Sequence, residues 1–206
     1  GMVDLPSGKM KSREGTVVDA DDLIEQMKNT ARRIAAENGK IEGLDEHERI
    51  ILFQKIGLGA LKYFILKVDP KKRILFDPLA SVDFNGNTGP FIQYTYARIQ
   101  SLFQKVEGEL VLHLDSSLVD KEKEILKHLS TYPALVKSAG DQYSPALIAN
   151  YLYELVKMFN SFYQNVSVIG SNDHKLKSLR LLLCKAVAKN IESASGLLGI
   201  DLPDSM

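Results

Sequence analysis

Apolar residues recur at helical spacing through the first part of the chain. They appear at three- and four-residue steps from 21 to about 38 and again from 45 to 68, which predicts two amphipathic helices. Gly57 and Gly59 interrupt the second stretch. The spacing of these glycines does not fit a dinucleotide fingerprint, because position 62 is a lysine and no strand precedes them. We therefore expect them to mark sites where helices pack closely.

The pattern becomes irregular between residues 73 and 87. Residues 74–76 form the one apolar run with strand character, and Asp77-Pro78 and Asn85-Gly-Asn87 are turn formers. The helical period then resumes after Thr88, which supplies a capping hydroxyl to a helix with a first-turn proline.

The second part of the chain carries the strongest helical patterns. Apolar residues keep the helical period from 145 to 163 and from 176 to 194, with shorter helices expected near 125–129 and from 132 onward. These patterns predict an all-α fold whose second part is a helical bundle.

Composition and charge narrow the classes of function. The chain has 206 residues, with 26 Lys+Arg against 26 Asp+Glu and a single cysteine. A neutral total provides no overall field for nucleic acid or an anionic membrane, so such a partner would need a local patch. No signal-peptide pattern or long apolar stretch is found, and one cysteine allows no internal disulfide. We expect a cytoplasmic protein without a membrane partner.

The neutral total hides two oppositely charged segments. Residues 107–124 contain six acidic residues, whereas the charged residues of 174–191 are all Lys or Arg. For each of these cations, phosphate contact and a solvated helix face are equally reasonable interpretations. They are Lys175, Lys177, Arg180, Lys185 and Lys189.

A short basic segment stands near the start of the chain, where Lys9, Lys11 and Arg13 lie between Gly8 and Gly15. Cations flanked by glycines suit a mobile phosphate clamp, and a solvated basic run is the simpler interpretation. The four histidines lack the spacing of a metal site, and no nucleophile elbow or P-loop is present, so no metal ligands are expected.

Several motifs, in order, resemble the arginyl-tRNA synthetases, a family of class I aminoacyl-tRNA synthetases. Lys9-Met10-Lys11-Ser12-Arg13 resembles their KMSKS signature, and the resemblance continues over essentially the whole chain. The further matching blocks are Gly57 to Tyr63, Asn85 to Ile99, Tyr151 to Leu155, Phe159 to Tyr163 and Leu197 to Met206.

The resemblance implies an ATP-binding loop at 9–13. In the family, clamp lysines neutralise charge that develops on the phosphates of ATP, which is normally bound with Mg2+. Lys9 and Met10 match the signature. Its third position is Lys11 instead of serine and its fourth is Ser12 instead of lysine, so Lys11 and Arg13 are both candidates for the second cation.

The resemblance also implies a helical anticodon-binding domain. Anticodon bases are unpaired and can stack on aromatic rings. Of the three aromatic residues at 159, 162 and 163, we expect two in the core and Tyr163 on a base. Phe159 remains a second candidate. Met206, Arg98 and the cations Lys175, Lys177, Arg180 and Lys185 complete the expected tRNA contacts.

The domains expected from the resemblance are a catalytic-domain remnant with the KMSKS loop (1–18), connecting helices that contact the tRNA stem (19–88) and the anticodon-binding bundle (89–206). The family's nucleotide-binding half with its HIGH signature is missing. We therefore expect a C-terminal part of an arginine–tRNA ligase, whose full-length form uses arginine, ATP and tRNA(Arg). This chain alone would bind the anticodon region without catalysis, as a monomer and without a DNA partner. The alternative is a free-standing helical module that binds a protein.

Overall fold

The computed structural model describes residues 2–4, 19–37, 43–106, 108, 110–112, 117–171 and 173–206. Within these residues the fold is helical with two very short strands, as expected for the all-α class. Among them, no helix is both long and apolar enough to cross a membrane. The elements are β1 (Val3–Asp4), α1 (Ala20–Glu37), α2 (Glu46–Leu66), β2 (Ile74–Leu75), α3 (Pro78–Ser81), α4 (Gly89–Phe103), α5 (Asp120–Ser130), α6 (Tyr132–Asp141), α7 (Pro145–Asn165) and α8 (His174–Leu197).

Side chains ahead of the helices fix where several of them begin. The Asp45 carboxylate accepts from the Glu48 backbone N–H, and Glu48 accepts from the Asp45 N–H in a reciprocal capping box at α2. Thr88 caps α4 as expected, and its hydroxyl accepts from the Phe91 N–H. Ser144 occupies the equivalent position before α7, yet its side chain makes no capping hydrogen bond. Pro145 alone therefore supplies the helix-start signal there.

The irregular region 73–87 is more ordered than its sequence suggests. Residues 74–75 form β2, which pairs in parallel with β1, so that Val3 lies opposite Ile74. The expected turn at 77–78 instead begins the short helix α3, which Asp77 caps through its carboxylate. The strand was predictable, but its partner lies about 70 positions earlier in the sequence.

Two hydrophobic clusters divide the molecule. The first joins α1, α2 and residues on either side of α3, and it includes Met27, Ile56 and Phe76. The second lies within the bundle of α4 to α8 and includes Leu152 and Ile191. Burial of apolar surface in these two clusters is the main stabilising contribution of the fold.

The glycines of α2 lie where α2 crosses its neighbours, which confirms their interpretation as packing sites. A Cβ at Gly57 would lie 2.9 Å from the backbone of Met27 in α1. A Cβ at Gly89, the first residue of α4, would overlap the carbonyl of Gly59. α2 thus contacts α1 on one side and α4 on the other, backbone to backbone, which fixes the bundle relative to the first cluster.

Candidate nucleic-acid interface

A concavity of about 280 Å³ opens where α4, α7 and the residues after α8 meet. Three of the residues expected to contact tRNA, Arg98, Tyr163 and Met206, line it together. Its volume is near the lower limit of ligand pockets, roughly 300 Å³, and suits a single planar group. The other lining residues are Tyr94, Ala97, Ser101, Leu102, Lys105 and Ile169.

Tyr163 and Phe159 lie one turn apart on α7 and have different environments. Tyr163 is half-buried and lines the concavity, whereas Phe159 is 0% exposed. The two ring centroids are 5.9 Å apart, so Phe159 packs beneath Tyr163. Phe162 is also 0% exposed. The expectation that Phe159 contacts tRNA therefore needs correction, because a ring without accessible surface cannot stack on a base.

Arg98 is held by both aromatic and polar neighbours. Its guanidinium carbon lies 4.8 Å from the Tyr94 ring centroid and 5.5 Å from that of Tyr163. Its Nη1 donates to the Asn160 side-chain oxygen at 2.5 Å. The Asn160 amide in turn donates to the Thr95 hydroxyl at 2.8 Å, inside the core. Arg98 is thereby oriented at the wall of the concavity, and a guanidinium still has further N–H donors.

Two residues of this site, Tyr94 and Lys105, were missed by the sequence reasoning. Tyr94 lies on α4 and Lys105 lies two residues after its end, and both line the concavity with Arg98 and Ser101. Positions 94, 98, 101 and 105 follow each other at three- and four-residue steps, which places them on one helix face. This polar stripe is visible in the sequence, but the apolar stripe on the same segment is the stronger pattern and predicts only the buried face of the helix.

The cations of α8 do not form one surface. Arg180 is buried: its Nε donates to Glu122 at 2.7 Å, with the two side chains 10% and 1% exposed. Its Nη1 also donates to the Ser167 carbonyl. The expectation that Arg180 binds phosphate is therefore wrong for this conformation, because its guanidinium is occupied by α5 and the α7–α8 connection. Lys175 and Lys185 are exposed and Lys177 is partly exposed.

Lys189 is engaged in a polar contact between α8 and α4. Its ammonium donates to Glu192 at 2.7 Å, and the Tyr96 hydroxyl donates to the other carboxylate oxygen at 2.6 Å. These hydrogen bonds, that of Lys189 first, lower the pKa of Glu192. Burial is the main reason that the pKa of Tyr96 is raised. Lys185 remains exposed at the rim of a neighbouring cavity of about 590 Å³.

The expected ATP-binding residues Lys9, Met10, Lys11, Ser12 and Arg13 lie outside the described residues. Their assignment therefore rests on the sequence alone. The nearest described elements are β1 and α1 on either side.

Comparison with known proteins points to one family. Residues 92–206 match the family model described as the DALR anticodon binding domain. The match begins in the first turn of α4 and includes every residue that lines the concavity.

Full-length relatives extend the similarity over the whole chain. It is 57% identical over 206 residues to an arginine–tRNA ligase of Flavobacterium psychrophilum, covering 100% of this chain and 34% of the relative. It is 51% identical over 211 aligned residues to the arginine–tRNA ligase of Porphyromonas gingivalis, covering 100% of this chain and 35% of the relative. The chain thus spans about a third of the length of the curated relatives it matches.

A solved structure shares the same fold. The Thermus thermophilus arginyl-tRNA synthetase superposes with a TM-score of 0.90 at 26% sequence identity, over 100% of this chain and 34% of that one. The helical arrangement is therefore that of the corresponding region of an arginyl-tRNA synthetase.

Proposed function

The chain belongs to the DALR anticodon binding domain family, and from this premise we propose that it is the tRNA-binding part of an arginine–tRNA ligase. The concavity between α4, α7 and residue 206 is its proposed site for an unpaired anticodon base. The observation that carries this proposal is the convergence of Tyr163, Arg98 and Met206 on one opening of about 280 Å³.

The chemistry of the opening suits a nucleobase. A base enters with its face on the Tyr163 ring, which Phe159 supports from below at 5.9 Å. The guanidinium of Arg98, oriented by Asn160, donates to a base edge that carries carbonyl oxygens. Met206 closes the opening with an apolar, adaptable side chain.

Phosphates of the same RNA loop are met by exposed cations. Lys105 lines the opening itself. On α8, Lys185 is exposed and Lys177 partly exposed, and they supply a sequence-independent attraction, to which Lys175 at the start of the helix adds its positive charge. Arg180 has no part in this contact because Glu122 occupies it.

The proposal for the full-length protein follows from the relatives. It would activate arginine with ATP and Mg2+ and attach it to tRNA(Arg), with Lys9 and either Lys11 or Arg13 on the phosphates. In that protein, 1–18 belongs to the catalytic domain, 19–88 contacts the tRNA stem and 89–206 reads the anticodon. The 206-residue chain would be a cytoplasmic monomer without catalysis of its own. The alternative of a free-standing protein-binding module is not favoured, because the curated relatives are ligases.

Binding to two tRNAs tests the proposal. We expect the chain to prefer tRNA(Arg) over a tRNA with an unrelated anticodon, and Tyr163→Ala to weaken tRNA(Arg) binding by about 1–3 kcal/mol through lost stacking. Tyr163→Phe keeps the ring and should keep most of the affinity. Tyr143→Ala is the matched control, because Tyr143 is 88% exposed at the opposite end of α7.

Equal affinity for both tRNAs, unchanged by Tyr163→Ala, would remove the anticodon claim. It would leave the family membership and the fold intact, and the protein-binding module would become the working hypothesis.

A further inference from the structure

Gln93 is a polar side chain for which the proposed base site has no direct use. It lies on α4 between the two hydrophobic clusters and is 0% exposed. It does not line the concavity. Burying an amide is unfavourable unless it is hydrogen-bonded, so the hydrogen-bond partners of Gln93 indicate its structural role.

Both N–H groups of the Gln93 amide can be accounted for. Nε2 donates to the Lys55 carbonyl of α2 at 2.9 Å and to the Asp201 carbonyl at 2.8 Å. Asp201 belongs to the tail, residues 198–206, which follows α8. The reversed amide would direct an oxygen at two carbonyl oxygens, so the observed orientation is the one that satisfies this site.

The Gln93 amide lies directly against the backbone of Gly59 in α2. A Cβ at Gly59 would lie 2.5 Å from the Gln93 Nε2. The absence of a side chain at Gly59 therefore admits the amide to the surface of α2. The Gln93 Oε1 has no hydrogen-bond partner among the described residues. Leaving a buried acceptor unpaired is unfavourable, so the two donated bonds offset a real cost.

The tail connects the same two parts of the molecule. Leu198 and Ile200 pack in the bundle cluster, whereas Met206 packs against the first cluster. The Lys62 ammonium of α2 donates to the Gly199 carbonyl. The tail is thus held by α2 at Gly199 and by α4 at Asp201 before it reaches the concavity that Met206 lines.

We propose that Gln93 is a positioning residue that fixes the tail on α2 and α4 and so sets Met206 in the base site. This inference rests on the proposed function for its consequence in RNA binding. The position of Met206 depends on where α2 lies relative to α4, because one amide joins both to the tail. Gln93 therefore links the base site to α2, which packs in the first cluster.

The methyl signals of the methionines test this in the free 206-residue chain. Gln93→Met has nearly the same length and no donors, so it removes both hydrogen bonds while filling the space. Gln104→Met is the matched control, because Gln104 is exposed at the end of α4. Spectra of methyl-labelled protein would follow Met206, assigned with Met206→Leu, beside Met27 in the first cluster and Met158 in the bundle.

In Gln93→Met, we expect the Met206 methyl signal to become sharp and to move to the chemical shift of a solvent-exposed methionine. Met27 and Met158 should keep their wild-type shifts, which a general loss of stability would not allow. Binding of tRNA(Arg) should fall by about the same factor as with Met206→Ala, whereas Gln104→Met should leave both readouts unchanged.

An unmoved Met206 signal in Gln93→Met overturns the proposal, whatever the tRNA affinity. If that variant does not fold, Gln93→Asn replaces it, because its shorter amide cannot reach both carbonyls, and the same signal decides. A released Met206 in a chain that does not discriminate between tRNAs would support the positioning role and refute the proposed function, so the two failures are distinguishable.

Discussion

The concavity and the cationic part of α8 both contain residues that the sequence predicts to contact tRNA, but they differ in whether those residues lie together in the fold. The concavity gathers Arg98, Tyr163 and Met206 from α4, α7 and the tail, far apart in sequence. The α8 cations are neighbours in sequence, yet Arg180 is buried against Glu122 and Lys189 is bound to Glu192. Whether one of these cations is accessible therefore depends on the carboxylates around it in the fold rather than on its residue type.

The difference has a physical basis in what each charge can reach. Arg98 is held by a neutral amide and two aromatic rings, none of which carries a negative charge, at the wall of the concavity. Arg180 instead faces a carboxylate of 1% exposure. An RNA phosphate could compete for Arg180 only by leaving Glu122 charged and buried, which is strongly unfavourable.

Removing Arg180 should give the largest effect. Arg180→Met leaves Glu122 buried without its partner and should lower the free energy of unfolding by about 3–5 kcal/mol. Chemical denaturation followed by circular dichroism measures this. Lys185→Met is the matched control on the same helix and should change stability by less than about 0.5 kcal/mol, because Lys185 is exposed. A stable Arg180→Met variant with weakened RNA binding would show that the guanidinium serves phosphate instead.

The buried ring of Phe159, which packs against Tyr163, should be nearly as sensitive. Phe159→Ala opens a cavity in the bundle and should cost about 3–5 kcal/mol of stability. Comparison with Tyr163→Ala in the same denaturation assay separates the two rings, since Tyr163 is half-buried and should lose much less. Similar losses for both variants would mean that Tyr163 is a core residue, which contradicts its role as a base platform.

Removing the exposed Lys185 should have a smaller effect than either of these core substitutions. Lys185→Gln should weaken binding to all tRNAs alike and reduce the slope of log affinity against log salt by about 1. Titrations at several salt concentrations measure the slope. Lys189→Gln provides the comparison, because its ammonium already binds Glu192 and should change the slope less. An equal change at both positions would show that the Glu192 contact does not keep the Lys189 ammonium from RNA phosphates.

The helices were largely predictable from the sequence, because the apolar period shows where they run and a capping residue such as Thr88 marks where one begins. Tyr163, Arg98 and Met206 were also found as candidates, through family resemblance. The pairing of Arg180 with Glu122 was not predictable, since it joins α8 to a segment 58 positions away. The same holds for Gln93, whose partners become neighbours only when α2, α4 and the tail pack together. Local pattern identifies elements, and long-range packing selects which of their side chains remain free.

Photo-crosslinking of an anticodon stem-loop tests the central claim most directly. Stem-loops of tRNA(Arg) would carry a photoreactive base at each loop position in turn, and crosslinked peptides would be identified after trypsin digestion. The account predicts that at least one anticodon base crosslinks to the peptides 158–175 or 190–206, which contain Tyr163 and Met206, and that unlabelled stem-loop competes. Crosslinks confined to other peptides, such as those of α5 and α6, would contradict it.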